Sequence, residues 1–271
     1  MTNSIIVVKL GGTEGVDFSG ICQDAAKMIS DGQRLVLVHG GSAEANALGK
    51  AVGKPPRFVT SPSGYTSRYT NRETLEVFAM AVNGKVNTFL VEQLQMLGVN
   101  ALGLSGVDGG LLKAKRKTAI RIVENGRKKM LRDDYTGKIN EVNVSLLQAL
   151  LDSGYTPVVA PMAVSEKGEA LNVDADRAAA EIAAALNADT LLLLTAVPGL
   201  MREFPDEGSL IKEITTAGLE KSIEYAQGRM KKKVLGASEA LANGVKQVII
   251  ADGRVENPIS NALAGNGTVI K

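Results

Sequence analysis

Short apolar runs alternate along the chain with longer stretches whose apolar residues recur every three or four positions. Residues 5–10, apart from Lys9, and residues 35–38 are aliphatic, and each run stops at glycine: Gly11-Gly12 after the first, His39-Gly40-Gly41 after the second. Such runs read as strands buried on both faces, and the spacing of 18–30 and 42–52 predicts helices. Residues 54–68 contain Pro55, Pro56, Pro62 and Gly64 and read as a loop. Residues 71–97 form helix, with Gly84 as the point where it could break, and 99–104 form a strand. Residues 111–132 change the pattern: alternation about Asn125-Gly126 predicts a β-hairpin. A helix over 142–153 and a strand over 156–160, closed by Pro161, follow. The second half repeats the style, with helices over 176–186 and 229–242 and strands over 190–194, 245–251 and 268–270.

Strands separated by helices predict an α/β fold: a three-layer αβα sandwich with a mainly parallel sheet covered on both faces, forming one domain over residues 1–271. In such sheets ligands bind at the carboxyl ends of the strands. Gly11-Gly12, Gly40-Gly41 and Gly199 all fall at those ends. Glycine also serves tight turns for backbone reasons, so this convergence alone does not define a site.

Composition narrows the chemistry. Aromatic residues are 4% of the chain and Trp is absent, so the core must be aliphatic. No apolar run approaches the roughly 20 residues that span a bilayer. Lys9 interrupts the first run, which argues against a signal peptide. One cysteine, Cys22, rules out an intrachain disulfide and a cysteine-based metal cluster, and suits a reducing cytoplasm. A net charge of +2 gives no reason to invoke nucleic acid. The chain has no G-x-x-x-x-G-K-[ST], no G-x-G-x-x-G after the first strand, and no H-E-x-x-H, C-x-x-C or G-x-S-x-G. With one histidine and one cysteine, most nucleophilic and zinc mechanisms are hard to assemble. Attack by a carboxylate on a phosphoryl group needs no histidine base, because the carboxylate is already ionised at pH 7. Catalysis then rests on positioning and on neutralising phosphoryl charge, for which backbone N–H groups and lysines suffice.

Four segments carry such groups. Lys9 stands near the end of the first strand, before Gly11-Gly12. His39-Gly40-Gly41-Ser42 repeats the arrangement after the second. Asn172-Val173-Asp174-Ala175-Asp176 precedes a helix, where Asp and Asn also serve as ordinary N-caps. Gly228-Arg229-Met230-Lys231-Lys232-Lys233 opens a late helix, where consecutive lysines also form solvated faces.

Taken together and in this order, K-L-G-G, H-G-G, a loop arginine followed by Y-T, N-V-D-A-D and G-R-M-K-K-K resemble the amino acid kinase superfamily in its acetylglutamate kinase branch. The resemblance runs over essentially the whole chain. Residues 61–70, 132–137 and 252–258 are further similar to the LysW-aminoadipate kinases of lysine biosynthesis. These phosphorylate the distal carboxylate of aminoadipate attached through its amino group to the C-terminal glutamate of a small acidic carrier protein.

The resemblance implies a carbamate kinase-like fold. Residues 1–165 would serve substrate binding and dimerisation, and 166–271 ATP binding. Lys9 and Lys233 would stabilise the transferring phosphoryl group, with Asp176 holding both. Gly11 and Gly12 would offer N–H groups to phosphate, and Gly40, Gly41 and Ser42 to substrate. Arg68 would pair with a substrate carboxylate, and Asn172 would contact the substrate. Thr195, Val197, Pro198, Gly199, Leu200, Gly228, Met230 and Lys231 would line the nucleotide site. Mg²⁺ would be held mainly through the ATP phosphates, without a protein metal site. A homodimer through 71–97 would follow. Ser42 stands where acetylglutamate kinases commonly place a third glycine, and Pro62 and Gly64 precede Arg68. Both departures argue against free acetylglutamate as the main substrate.

The predicted hairpin sharpens this. Residues 113–132 hold nine basic residues against Glu124 alone, a charge of +8, so the remaining chain carries −6. Clustered charge of one sign steers encounter with an acidic partner. Arg116, Lys117, Arg127, Lys128 and Lys129 are the candidate carrier contacts. No aromatic residues interleave with them, which argues against stacked nucleic-acid bases. Three alternatives stay open: an acetylglutamate kinase of arginine biosynthesis, a dual enzyme that also uses LysW-linked glutamate, and a non-catalytic amino-acid sensor on the same fold.

Overall fold

The computed structural model describes residues 4–11 and 18–271. Its centre is an eight-stranded sheet of β1 (Ile5–Leu10), β2 (Arg34–His39), β5 (Ala101–Ser105), β10 (Thr156–Ala160), β13 (Thr190–Thr195), β14 (Glu213–Ile214), β15 (Gln247–Asp252) and β16 (Thr268–Ile270). The order across the sheet is β14-β16-β15-β13-β1-β2-β10-β5. Every pairing is parallel except β15 with β16.

Side chains alternate across the sheet, and both faces are dry. Ile6, Val8 and Leu10 pack on one side, against Ile21, Cys22 and Ala25 of α1 (Phe18–Ser30), Leu90 and Leu94 of α4 (Thr88–Met96) and Ile259 and Ala262 of α9 (Pro258–Leu263). Ile5 and Val7 pack on the other. There they meet Leu147 and Leu151 of α5 (Val144–Asp152), Ala179 and Ile182 of α6 (Ala175–Ala185), and Val234 and Ala237 of α8 (Gly228–Ala242). Lys9 shares the face of Val7, so its side chain is aimed at α6 and α8.

The three-layer reading is borne out, with local corrections. Residues 58–68 are a strand pair rather than a loop: β3 (Phe58–Thr60) lies antiparallel to β4 (Thr66–Arg68). Residues 111–132 are not a single hairpin. β7 (Ala119–Glu124) and β8 (Arg127–Arg132) form one, turning through Asn125 and Gly126, both at positive φ. They join β3 and β4 in a four-stranded sheet. β6 (Leu112–Arg116) belongs instead to a second small sheet with β9 (Gly137–Val142), β11 (Met162–Val164) and β12 (Ala170–Asn172). Gly84 does not break its helix. α3 (Arg72–Ala79) runs into a π-helical stretch, Met80–Asn87, and on into α4. The widened turns bury Ala81, Val82, Val86 and Asn87, and that packing offsets the cost of a helical glycine. α2 (Ser42–Ala51) and α7 (Leu219–Ser222) complete the helices.

Candidate active site

The carboxyl ends of β1, β2 and β13 open into a cavity of about 830 Å³. Lys9 stands at its floor, in register with Val38 of β2 and Leu193 of β13. Asp174 caps α6, its carboxylate accepting from the N–H groups of Asp176 and Arg177. Asp176 is thereby relieved of capping and faces the cavity. Its Oδ1 lies 2.8 Å from Lys9 Nζ and its Oδ2 2.7 Å from Lys233 Nζ. Burial alone would push the Asp176 carboxyl up; Lys9 and then Lys233 outweigh burial and hold it below the ordinary carboxylate range. Burial, reinforced by Lys9, holds the Lys233 ammonium below its usual value while Asp176 opposes them. The cluster is thus two cations on one anion, with cationic capacity to spare for an incoming phosphoryl group.

The glycine turns close the floor. A Cβ on Gly11 would lie 2.8 Å from the carbonyl oxygen of Leu194, so backbone here meets backbone. Gly12 lies outside the described residues. The Gly40 N–H is already given to the Leu10 carbonyl at 3.3 Å. Gly41 lines the cavity, and a Cβ there would sit 2.6 Å from Val82 Cγ1. His39 fixes this turn from behind. It is fully buried, with Nδ1 2.6 Å from the Gly40 carbonyl and Nε2 3.0 Å from the Asn87 amide, which also donates to the Val158 carbonyl. That network assigns the proton to Nδ1. Burial, with some help from Lys9, lowers the His39 pKa to about 4, so the ring is a neutral strut.

Arg68 supplies the cation at the other side. It is 8% exposed, lies 5.2 Å from the Phe58 ring and 5.9 Å from the Phe78 ring, and donates to the Ser42 carbonyl. Burial lowers its pKa, and among the described residues no carboxylate pairs with it. A buried, unpaired guanidinium lining a cavity is a ready carboxylate site. Asn172 stands nearby, its amide donating to Thr70 Oγ1 and its N–H to the Tyr135 carbonyl. Asp134, fully buried, ties the same region together by accepting from the N–H groups of Thr70 and Thr136.

On the other side the cavity is lined by Val197, Gly199, Leu200, Phe204, Tyr225 and Gln227. Gly199 has φ +157, and a Cβ there would meet Thr268 Oγ1 at 2.5 Å. The Thr195 hydroxyl closes its own turn, donating to the Val197 carbonyl. Gly228, Met230 and Lys233 line the cavity; of the two lysines between them Lys232 does, whereas neither Lys231 nor Pro198 is among the lining residues.

Among the candidate carrier contacts, Arg116 is committed internally. It pairs with Glu169 and Asp133 and lies 3.6 Å over the Tyr135 ring. Lys129 pairs with Glu124, whereas Arg127 and Lys128 are exposed and Lys117 lines the cavity. Sequence reasoning missed Phe58, Phe78, Thr136, Tyr225 and Lys232. Lys232 carried a signal in its place in the lysine run, and Thr136 in its place within the 132–137 motif; the others carried none.

The residues present fit a nucleoside triphosphate. The volume lies within the range of ligand pockets, the lysine pair suits phosphate, and the tight backbone floor permits close approach. Among the described residues, no three His, Cys, Asp or Glu are grouped to hold a metal. No helix of the described residues is long and apolar enough to cross a membrane.

Residues 4–252 match the amino acid kinase family. The [LysW]-aminoadipate kinase of Deinococcus radiodurans is 56% identical over 267 residues, covering 98% of this chain and 91% of that one. The enzyme of the same name from Thermus thermophilus is 52% identical, covering 98% and 100%. A putative [LysW]-aminoadipate/[LysW]-glutamate kinase of Nitrosopumilus maritimus is 43% identical, covering 98% and 99%. Among solved structures, N-acetylglutamate synthase of Neisseria gonorrhoeae superposes with a TM-score of 0.80 at 26% identity, over 98% of this chain and 59% of that one. Carbamate kinase of Giardia lamblia superposes with a TM-score of 0.67 at 20% identity, covering 98% of each chain, and shares the fold.

Proposed function

The chain belongs to the amino acid kinase family, and on that premise we propose that it phosphorylates the distal carboxylate of L-2-aminoadipate carried by a LysW-type acidic protein, with ATP as donor. The product is an acyl phosphate, and the reaction belongs to lysine biosynthesis by the aminoadipate route. The observation that carries this reading is Asp176 held between Lys9 and Lys233 in a cavity that also contains the unpaired Arg68.

ATP supplies the phosphoryl group, and Mg²⁺ is held mainly through its phosphates. Lys9 and Lys233 neutralise charge on the transferring group, and Asp176 keeps their ammonium groups from separating. Gly11 and Gly41 offer N–H groups along the path of transfer, while His39 holds the turn that presents Gly41. Arg68 pairs with the carboxylate that does not react, which leaves the distal one facing the phosphate. Asn172 and Ser42 complete the substrate wall. The strip from Thr195 to Leu200, with Gly228 and Met230, forms the nucleotide wall. No proton needs to be removed from the nucleophile, so a neutral histidine is consistent with the chemistry.

Residues 1–165 mainly serve the amino acid and 166–271 mainly serve ATP. A homodimer is proposed through 71–97, where Met80, Phe89, Met96 and Leu97 are exposed. The enzyme works in the cytoplasm. The name of the Nitrosopumilus relative favours a second reading, in which LysW-linked glutamate is also accepted. Incubation with ATP, Mg²⁺ and each candidate acceptor, with the acyl phosphate trapped by hydroxylamine, tests these readings. Hydroxamate is expected with carrier-linked aminoadipate. Stronger turnover of free acetylglutamate would refute the substrate assignment, and no turnover of any acceptor would favour a sensor.

A further inference from the structure

The long helix behind the Gly40–Gly41 turn changes pitch where it meets that turn. Met80–Asn87 is π-helical, a rare geometry that recurs at functional sites. In a regular α-helix Val82 and Asn87 would point about 140° apart. The i→i+5 repeat brings residues five apart onto one side, and here both serve the same turn. A Cβ on Gly41 would meet Val82 Cγ1 at 2.6 Å and Val86 Cγ2 at 3.5 Å, so the turn rests on these two valines. Asn87 reaches the turn through His39.

The polarity of that connection is set from one end. Asn87 is buried and bridges three neighbouring strands. Its Nδ2 lies 2.8 Å from the Val158 carbonyl of β10 and 3.0 Å from His39 Nε2 at the end of β2. Its Oδ1 fits against β5 because residue 103 is glycine; a Cβ there would collide with it. A backbone carbonyl only accepts, so the Asn87 group on Val158 is the NH₂. The same NH₂ gives its second hydrogen to His39 Nε2, which is therefore the unprotonated nitrogen. The proton is left on Nδ1, which donates to the Gly40 carbonyl at 2.6 Å. Burial lowers the His39 pKa to about 4, so near pH 7 the ring is neutral and only its tautomer is left to choose. The Gly40 carbonyl and the Gly41 N–H belong to one planar trans peptide and point in opposite directions. Anchoring the carbonyl on the buried imidazole aims the Gly41 N–H away from it, and Gly41 lines the reaction cavity.

We propose that Asn87 is a positioning residue for phosphoryl transfer: by holding His39 in its Nδ1–H tautomer it locks the Gly40–Gly41 peptide with the Gly41 N–H directed to the transferring group. This rests on the proposed function and deepens it by naming what fixes one donor of that site. Without Asn87 the ring is released to the Nε2–H tautomer that imidazole side chains prefer in water. Its Nδ1 lone pair then faces the Gly40 carbonyl, two acceptors 2.6 Å apart, and the peptide turns away.

The chain has one histidine, so its ring signals in ¹⁵N-labelled protein need no assignment. Long-range ¹H–¹⁵N correlation spectra without ATP are expected to show Nδ1–H in the unsubstituted protein and a shift toward Nε2–H in Asn87→Leu. Gly103→Ala, which displaces Asn87 without removing it, is expected to shift the tautomer in the same direction. With the acceptor the protein uses best, kcat of Asn87→Leu should fall roughly tenfold, short of the about 100- to 1,000-fold for removing such a donor outright, with the KM for ATP little changed. His39→Asn separates the bond to Val158 from control of the tautomer, because its NH₂ can stand where Nδ1–H stood and has no tautomer. Adding Asn87→Leu to His39→Asn should leave kcat where His39→Asn alone puts it. Three results overturn the proposal while leaving the proposed function intact. They are an Nε2–H tautomer in the unsubstituted protein, an unshifted tautomer in Asn87→Leu (or in Gly103→Ala, should Asn87→Leu not fold), and an equal loss of kcat from Asn87→Leu with and without His39→Asn. Turnover of no acceptor by the unsubstituted protein overturns both.

Discussion

Replacing Asp176 by Asn preserves the shape of the side chain and removes the anion between two ammonium groups. The contacts at stake are 2.8 Å to Lys9 and 2.7 Å to Lys233. At an effective dielectric of 20, each is worth a gross of roughly 6 kcal/mol. Desolvation of the three charges takes back most of this, and breaking a buried pair from one side nets about 3–5 kcal/mol. For a chain of this size that corresponds to a fall in Tm on the order of 10 °C. The site also changes electrically. Lys233 is already held below its usual pKa by burial and by Lys9, and the variant loses the group that opposed both. Its pKa falls further, so the charged form needed for phosphoryl transfer is lost at lower pH. The alkaline limb of kcat should therefore move toward neutrality, with a loss on the order of 100-fold at pH 8. Hydroxamate formation under saturating ATP from pH 6 to 10, with thermal melts, measures both. A variant that melts early yet keeps its kcat and pH profile would show that Asp176 only holds the fold, and the mechanism above would be wrong.

In wild type the Asp176 carboxyl sits below its ordinary value of 3.8, so its contribution to stability is complete above that value and is lost as the pH falls below it; acid denaturation of Asp176→Asn should lack this component. His39 has a folded pKa of about 4 against an ordinary 6.5. Its contribution is therefore complete above pH 6.5 and falls by about 3 kcal/mol between 6.5 and 4; His39→Gln should flatten that part of a urea-midpoint profile. Arg68→Lys keeps the charge but loses the planar fork beside Phe58 and Phe78, and should raise the KM for the amino-acid acceptor roughly 10- to 100-fold with little change for ATP. Asp134→Asn should cost about 1–3 kcal/mol in urea denaturation, because the amide cannot accept from Thr70 and Thr136 together.

The large sheet and its helices were legible because burial on both faces leaves aliphatic runs, as in 35–38, 191–194 and, around Lys9, 5–10. Lys9 stood out because a lysine inside such a run is cut off from water and needs an anion to face, which the structure supplies as Asp176. What the sequence concealed was held by contacts distant along the chain. β3 and β4 have three residues each, amid Pro55, Pro56, Pro62 and Gly64; they pair with each other, and β3 pairs on its other edge with β7 at Val123, more than sixty residues after Thr60. The β3–β4 pairing sets Phe58 opposite Arg68, so Phe58 gave no sign in the sequence of belonging to the site. The choice between Lys231 and Lys232 turned on the rotational phase of α8, which a run of three lysines does not encode. Arg116 looked free among its basic neighbours, but Glu169, which binds it, lies more than fifty residues later in the turn between β11 and β12.

The position of β1 also dictates an order of assembly. It pairs with β2 at once, but its other edge is reserved for β13 at residues 190–195. At ribosomal speeds of about 5–20 residues per second, the edge of β1 waits roughly 10–30 s for that partner. During that interval the nascent chain carries an aliphatic strand edge with its hydrogen-bonding groups unpaired, and Lys9 has neither of its later companions. The Lys9–Asp176–Lys233 cluster is therefore among the last features of the chain to form, and a nascent chain arrested at mid-length carries a half-sheet with an open aliphatic edge.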